Sequence, residues 1–251
     1  MEQIYLSVII PAYKEEKNIS STLLAIDKYL SKQKYAYEII VVNDGSKDKT
    51  AAIVNKFKDL VKNLSLIDNP ENHGKGYVVR QGMLSAKGEY RLFTDADNST
   101  SIEHLDKVWL HFEKGADLVI GTRDKKDAAG AGQAVPQSFL KRLLGNMGNV
   151  LIQVLAVWGI WDTQCGFKAM TAEATEDIFS RAIIDRWGFD IEMLALAKRL
   201  KYKIAIIPTY WVNRAESRVT LGGYLKTFSE LFKIKWNLIN GKYHLNNRKD
   251  A

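Results

Sequence analysis

Short apolar runs alternate with helix-like stretches along the first half of the chain. The runs are rich in Val, Ile and Leu, and the stretches between them carry apolar residues at helical spacing. This alternation predicts βαβ units and a mostly parallel, Rossmann-like sheet that is buried on both faces and flanked by helices. The predicted strands are Leu6–Ile10, Glu38–Val42, Leu64–Ile67, Tyr90–Thr94 and Asp117–Gly121.

The first three helices are predicted between these strands. One begins near Asn18, which suits an N-cap position, and the next two are expected at Ser46–Lys62 and Gly76–Lys87. Ligands of open α/β sheets bind beyond the carboxyl ends of the strands. Each segment that follows a strand is therefore a candidate binding segment.

Two aspartates, Asp95 and Asp97, follow the fourth predicted strand and are one residue apart. Mg²⁺ and Mn²⁺ prefer oxygen ligands and accept one or two protein carboxylates, with water and phosphate oxygens at the other positions. The pair therefore predicts a divalent metal site. The alternative is an acidic turn that caps a helix starting near Ile102.

The exits of the first three strands also combine turn-forming residues with polar or aromatic groups. In such a crevice Asp44 can accept hydrogen bonds from a base or ribose, Tyr13 can wall the base, and Lys75 can face phosphate. Together with the Asp95–Asp97 pair this arrangement predicts a nucleotide site. The three segments are Pro11–Glu16, Asn43–Ser46 and Asn69–Gly76.

Composition and charge restrict the class of protein. The chain has 251 residues, of which 46% are hydrophobic and 26% charged, which suits one large or two small globular domains. Its single cysteine, Cys165, excludes an internal disulfide and favours a reducing compartment. Net charge is +7, and residues from Lys198 onward hold 12 Lys or Arg against three Asp or Glu. This asymmetry predicts an anionic partner, either lipid headgroups or nucleic acid, unless the basic face is merely solvated.

Two segments suggest contact with a membrane surface. Leu221–Ile239 is roughly amphipathic with basic residues and a tryptophan, and Val150–Trp161 is apolar almost all round but too short to span a bilayer. No secretion signal or transmembrane segment is expected. The competing interpretation is that both segments close the core or form a dimer interface.

Seven motifs together support a family resemblance. They are Val8–Glu16, Val41–Ser46, Gly74–Gly76, Asp95–Asp97, Gly121–Arg123, Asp162–Lys168 and Arg186–Glu192. With these residues the chain resembles the inverting glycosyltransferases of the GT-A fold, and within them the dolichyl-phosphate (polyprenyl-phosphate) hexose synthases. The last two motifs look most like dolichyl-phosphate glucosyltransferases. Asn43 departs from the family's usual Asp-Asp pair.

The resemblance implies a reaction and a cofactor. The reaction is transfer of a hexose from UDP-glucose or GDP-mannose to the phosphate of a polyprenol, at the cytoplasmic face of a membrane. Mg²⁺ or Mn²⁺ would bridge the donor's diphosphate, with Asp97 as a direct ligand and Asp95 shared between metal and ribose. The protein would be cytoplasmic and peripheral, with no transmembrane segment.

The resemblance also assigns residues to the site. The expected nucleotide-binding residues are Pro11, Ala12, Tyr13, Glu15, Asp44, Lys75, Asp95 and Ala96. The expected acceptor-phosphate residues are Arg123, Lys141, Arg142, Arg214, Ser217 and Arg218. The expected catalytic residues are Asp97, Asp95, Arg123 and Asp190.

The role of Asp190 depends on the acceptor. A phosphate is already an anion and needs cations more than a base, whereas a hydroxyl acceptor needs a base to remove its proton. Asp190 is therefore either a general base, a helix cap, or a residue that orients Lys and Arg side chains.

The predicted domain organisation is a catalytic domain at 1–219, with a nucleotide-sugar half at about 1–121 and an acceptor half at about 122–219, followed by a basic amphipathic helix and tail at 220–251. A homodimer or a separate membrane subunit stays open, and nucleic acid is not an expected partner. The rival functions are transfer to a hydroxyl acceptor, sugar-1-phosphate nucleotidyl transfer, and basic nucleic-acid binding.

Overall fold

The computed structural model describes residues 3–133, 148–211 and 221–245. Its strands are β1 (Leu6–Ala12), β2 (Tyr37–Asp44), β3 (Leu64–Asn69), β4 (Tyr90–Thr94), β5 (Leu118–Thr122), β6 (Gly132–Gln133), β7 (Phe167–Thr171), β8 (Ile204–Pro208) and β9 (Tyr210–Trp211). Its helices are α1 (Ile19–Leu30), α2 (Thr50–Phe57), α3 (Lys75–Ser85), α4 (Leu105–Phe112), α5 (residues 148–155), α6 (Ala172–Phe179), α7 (Phe189–Arg199) and α8 (Leu221–Ile239). A short 3₁₀ turn at Ile102–His104 precedes α4.

Seven strands form one sheet in the order β3-β2-β1-β4-β7-β5-β8. The pairs β1–β2, β2–β3, β1–β4 and β5–β8 are parallel, whereas β7 runs antiparallel to both of its neighbours, β4 and β5. Strands β6 and β9 pair separately as a short parallel ribbon. The α/β prediction is confirmed, and the sheet is mostly parallel with one reversed strand.

The sheet is buried on both faces because helices cover each side. All seven residues of β1 are buried, which explains why it reads as an almost continuous apolar run. Ile9 and Phe93 pack on one side against α3, α6, α7 and α8, while Val8 and Leu92 pack on the other side against α1, α2 and α4. Alternate residues of one strand therefore serve two separate core layers.

The five predicted strands match β1 to β5 closely, but α2 is shorter than the predicted Ser46–Lys62. Its first residues are used in a loop that contacts the exit of β1. Ser46 Oγ accepts a hydrogen bond from Lys14 N at 2.9 Å, and Glu16 Oε2 accepts one from Lys49 N at 3.0 Å. These contacts join the segments that follow β1 and β2. Because residues 46–49 form them, α2 starts one turn later than predicted.

Helix α8 occupies the range in which the sequence predicts an amphipathic helix. Its inward positions Leu231 and Ile234 are buried in the same core layer as α7. Among the described residues, no helix is long and apolar enough to cross a bilayer. The predicted division into a nucleotide half, an acceptor half and a tail stays a prediction.

Candidate active site

The candidate site lies at one edge of the sheet. Asp44 ends β2, Asp95 follows β4, and Arg123 follows β5. These three strands point in the same direction, since β1 is parallel to β2 and β4 while β7 reverses between β4 and β5. Their carboxyl ends therefore bring charged groups from distant parts of the sequence to one edge.

The Asp95 carboxylate is fixed between two neighbours. Lys75 Nζ, on the first residue of α3, donates a hydrogen bond to Asp95 Oδ1 at 2.6 Å. On the other side lies Gly166, where an added Cβ would come within 1.9 Å of Asp95 Oδ2. Only glycine leaves room for this carboxylate.

Lys75 is a cation surrounded by carboxylates. Burial lowers the pKa of Lys75, but the charges of Asp95, Asp190 and Asp97 outweigh that effect and raise the pKa above its usual value. The Lys75 ammonium therefore stays charged across the physiological pH range and supplies a fixed positive charge at the strand exits.

Asp97 lies on the partly exposed side of the same turn. Its Oδ1 accepts a hydrogen bond from Ser99 N at 2.9 Å. The helical segment that follows is capped by Ser101, whose side chain accepts from Glu103 N. The acidic pair is therefore not the N-cap of that segment, which removes the main structural reason for an ordinary capping turn.

The residues at this turn fit a divalent cation held by few protein ligands. Asp95 and Asp97 supply two carboxylates, and Ser99 Oγ is buried without a hydrogen-bond partner among the described residues. The described part of the chain contains no group of three or more His, Cys, Asp or Glu side chains arranged to hold a metal. An ion here would thus take most of its ligands from water and a bound phosphate, as Mg²⁺ commonly does.

A buried ion pair lies behind this turn. Lys168, on β7, is fully buried and its Nζ lies 2.5 Å from Asp190 Oδ1 in the first turn of α7. The same ammonium donates to the carbonyl oxygen of Cys165 at 2.5 Å. Lys168 therefore ties Asp190 to the loop that carries Gly166.

Asp190 is observed in one of the three roles expected for it. It orients a lysine, and burial raises its pKa while the nearby Lys168 and Lys75 ammonium groups oppose that rise. Asp190 as a whole residue is only 4% exposed. Its assignment as a general base stays a prediction.

Arg123 forms the third ion pair of the site, after Lys75–Asp95 and Lys168–Asp190. Its guanidinium binds both oxygens of Asp162, with Nε to Oδ2 and Nη2 to Oδ1 each at 2.8 Å. The guanidinium also lies over the Trp211 ring, 5.7 Å from its centroid. Burial lowers the pKa of Arg123, but Asp162 outweighs that effect and raises the pKa above its usual value.

Asp44 anchors the loop that leads into Lys75. Its Oδ1 accepts from His73 N at 2.7 Å, and its Oδ2 accepts from Gly74 N at 3.0 Å and from Asn72 Nδ2 at 2.7 Å. The β2 exit therefore shapes the β3–α3 loop directly. Whether Asp44 also contacts a nucleotide stays a prediction.

The remaining nucleotide-binding candidates lie beside this loop. Tyr13 is 36% exposed, and Glu15 N donates to Thr50 Oγ1 at 2.9 Å. Ala96 is buried, and its carbonyl accepts from Thr22 Oγ1 at 2.6 Å. Pro11 and Ala12 belong to buried β1. The structure thus brings all eight nucleotide-binding candidates to the strand exits.

Five of the six acceptor-phosphate candidates lie outside the described residues. They are Lys141, Arg142, Arg214, Ser217 and Arg218. Of that set the structure describes Arg123 alone.

Three site residues received no role from the sequence. Lys168, Asp162 and Gly166 all belong to the Asp162–Lys168 motif, which resembles the family but does not reveal its contacts. The available signal was the motif itself. It has a charged residue at each end, Asp162 and Lys168, and charged residues are rare in buried segments.

Comparison with known proteins gives a consistent result. The family described as Glycosyl transferase family 2 matches residues 7–179. A dolichyl-phosphate beta-glucosyltransferase of Trichomonas vaginalis is 36% identical over 92% of this chain and 73% of its own length. A dolichyl-phosphate beta-glucosyltransferase of Dictyostelium discoideum is 34% identical over 96% of this chain and 77% of its own length.

A solved structure resembles the chain in fold. Glucosyl-3-phosphoglycerate synthase from Mycobacterium tuberculosis, in complex with Mn²⁺, UDP and phosphoglyceric acid, superposes with a TM-score of 0.66 at 18% identity. The match covers 92% of this chain and 78% of that one. It confirms the expected GT-A-like architecture.

We predict that Asp162→Asn lowers the free energy of unfolding by about 2 kcal/mol at pH 7, because it leaves the partly buried Arg123 charge without a full partner. Burial raises the pKa of Asp162, but Arg123 outweighs that effect and lowers it below its usual value of 3.8. A lowered carboxyl pKa means that the stabilisation is present at neutral pH and is lost as the pH falls through that lowered value.

Urea unfolding of both proteins at pH 7 and at pH 3 measures the effect. The difference between them should shrink at the lower pH. Asp185→Asn is the matched control, since Asp185 is about half exposed and pairs with Arg80 at 2.6 Å. The control should change stability by less than about 1 kcal/mol. If the two substitutions lower stability equally, the Arg123–Asp162 pair does not have the predicted stabilising role.

Proposed function

This chain belongs to glycosyl transferase family 2, and we propose that it transfers glucose from UDP-glucose to the phosphate of dolichol or a similar polyprenol. The names of its relatives support glucose and dolichyl phosphate as the substrates. The charges at the strand exits support an anionic donor and an anionic acceptor.

The observation that carries the proposal is the Lys168–Asp190 pair. A hydroxyl acceptor needs a carboxylate that is free to take a proton, whereas Asp190 is bound to a fully buried ammonium. A phosphate acceptor, with a second pKa of about 6, arrives as an anion. It needs only cations that attract and align it. The paired state of Asp190 therefore favours a phosphate acceptor.

Asp97 and Asp95 would hold Mg²⁺ or Mn²⁺ in this proposal. The relevant features are the two carboxylates one residue apart and the nearby Ser99 Oγ, which is buried and has no hydrogen-bond partner among the described residues. When bound, such an ion neutralises negative charge on the departing nucleoside diphosphate. The M. tuberculosis structure, which contains Mn²⁺ and UDP on a similar fold, is in keeping with this role.

The chain's own cations would complete the charge balance. Lys75 is placed by Asp95 at the start of α3, where the helix N-terminus also favours an anion, so it would face the donor diphosphate. Arg123 is held in place by Asp162 and would attract the acceptor phosphate. The loops that carry Tyr13 and Asp44 would enclose the nucleoside.

A lipid acceptor requires the enzyme to work at a membrane surface, and α8 offers a suitable face. Its outward residues Phe232, Trp236 and Ile239 are 57%, 65% and 68% exposed. Helix α5 lies alongside, because a Cβ at Gly148 would be 3.6 Å from Phe228 Cζ. We call the surface formed by these three α8 residues and by the exposed α5 residues Val150, Leu151 and Val154 the two-helix face.

Basic residues accompany these apolar groups. Lys226 and Lys233 lie on the outward side of α8, and each lysine near an anionic leaflet contributes about 1 kcal/mol. We infer that the two-helix face rests on an anionic membrane surface, with the protein peripheral on the cytoplasmic side. A homodimer interface on the same face is the alternative that vesicle binding tests.

The function is tested by incubating the protein and Mn²⁺ with labelled UDP-glucose or GDP-mannose and short-chain dolichyl phosphate. Label should enter the organic phase from UDP-glucose only. Asp97→Ala should lower that rate by about 10²- to 10³-fold, because the leaving diphosphate loses its main charge stabilisation. Asp106→Ala is the control: Asp106 lies on α4 and accepts a hydrogen bond from Tyr29. A loss of less than tenfold in Asp97→Ala at saturating metal would refute the metal assignment.

Asp190→Asn distinguishes a phosphate acceptor from a hydroxyl acceptor. The amide oxygen can still accept from Lys168, so transfer to dolichyl phosphate should retain far more activity than in Asp97→Ala. If Asp190 is instead a general base, its loss should cost about 10²- to 10⁴-fold. Initial rates at saturating donor and acceptor decide between the two outcomes, and a loss as large as that of Asp97→Ala favours the hydroxyl-acceptor function.

Vesicle co-sedimentation tests the two-helix face. The protein should bind anionic vesicles and be released as salt is raised, because the lysine contribution is screened. The double variant Phe232→Ser/Trp236→Ser should bind at least about tenfold more weakly, since it removes two large apolar side chains. Leu60→Ser is the matched control, because Leu60 is 70% exposed but lies after α2. If the protein does not co-sediment with anionic vesicles at any salt concentration, the proposed contact with lipid is refuted.

A further inference from the structure

Helix α8 is hydrogen-bonded to the start of α7. The backbone N–H of Gly188 donates to Glu230 Oε2 at 2.7 Å. Gly188 is the N-cap residue of α7, and its carbonyl accepts from Ile191 N at 3.1 Å and Glu192 N at 3.0 Å. A Cβ at Gly188 would lie 2.9 Å from Glu230 Cβ. The first turn of α7 therefore rests directly on α8.

A second tie holds the same turn. Glu192 accepts from Tyr243 Oη at 2.8 Å and from the backbone N–H of Ile183 and Ile184. Tyr243 is only 1% exposed and follows α8 in the chain. The beginning of α7 is thus held both by α8 and by the segment after it.

This turn carries Asp190, two residues after Gly188. Asp190 meets Lys168 at 2.5 Å, and its charge also interacts with Lys75. The segment before α7 contacts the N-terminus of α3 as well, because Tyr77 N donates to the carbonyl oxygen of Asp185 at 3.0 Å. A shift of the first turn of α7 would therefore move a charge of the active site.

Glu230 forms no ion pair with any of the described residues. Its carboxylate is instead hydrogen-bonded to the backbone N–H of Gly188. It is half-buried, and burial raises its pKa while the Gly188 N–H opposes that rise. A half-buried carboxylate has a desolvation cost that a surface glutamate avoids. The hydrogen bond from the Gly188 N–H offsets part of that cost.

We propose that Glu230 is a positioning residue, which fixes the first turn of α7 through Gly188 and so holds Asp190 against Lys168. Glu230 touches no reacting group itself. Glu230 affects glycosyl transfer only through the position of α7. It lies on α8, the helix that also bears the outward Phe232 and Trp236. The kinetic part of its test rests on the proposed function, and a second readout does not.

Three variants separate the hydrogen bond from the charge. Glu230→Ala removes the acceptor and should lower kcat for dolichyl phosphate at least about tenfold, since small displacements of active-site groups are costly. Glu230→Gln keeps an oxygen that accepts from Gly188 and should stay within about twofold of the wild type. If the alanine variant fails to fold, Glu230→Asp replaces it with the same expected fall, because its shorter side chain does not reach Gly188.

The second readout is hydrogen exchange of the amides at 186–192. Exchange there should be at least about tenfold faster in Glu230→Ala and unchanged in Glu230→Gln, because the Gly188 amide loses its acceptor in the first variant only. UDP affinity should stay unchanged in both. Glu176→Ala is the matched control: Glu176 lies on α6 and pairs with Arg91 of β4, so the variant removes an ion pair that does not involve the first turn of α7.

Several results would overturn the proposal. Wild-type kcat and exchange in Glu230→Ala would remove it, as would a glutamine variant as impaired as the alanine one. A parallel fall in UDP affinity and kcat, matched by Glu176→Ala, would mean that only general stability was lost. If the wild type fails to glucosylate dolichyl phosphate, the proposed function is wrong, and the exchange at 186–192 alone then decides the role of Glu230.

Discussion

The arrangement of this site depends on the pairing of buried charges. Lys168 is fully buried, and its Nζ lies 2.5 Å from Asp190 Oδ1. That one pair joins β7, α7 and the loop of Cys165 and Gly166, and Gly166 in turn leaves room for the Asp95 carboxylate. Removing either side chain would leave the other buried without its hydrogen-bond partner, which is costly, so the pair holds the geometry around the strand exits.

A reversed strand makes this pairing possible. Because β7 runs antiparallel between β4 and β5, its beginning lies where those two strands end. The Asp162–Lys168 motif therefore reaches the site between the ends of β4 and β5, next to Asp95 and Arg123. A fully parallel sheet would have placed the start of β7, and with it Lys168, at the other edge.

The sequence predicted the strands and the edge at which they converge, because apolar runs and turn residues are local signals. It also placed Asp95, Asp97, Asp44 and Lys75 at that edge. It did not predict the partners of these residues, since contacts such as Asp44 with the 72–74 loop depend on strand order. The length of α2 was wrong for the same reason, because Ser46 and Lys49 bind the exit of β1 instead of starting a helix.

The same pairing has a chemical consequence for the acceptor. Each carboxylate behind the Asp95–Asp97 turn is matched by its own cation: Asp190 by Lys168 and Asp162 by Arg123. A cation already bound to a carboxylate attracts a phosphate less strongly than a free one, but it is also held in place and loses little entropy when the phosphate arrives. These paired charges are in keeping with the proposed phosphate acceptor, which needs alignment more than removal of a proton.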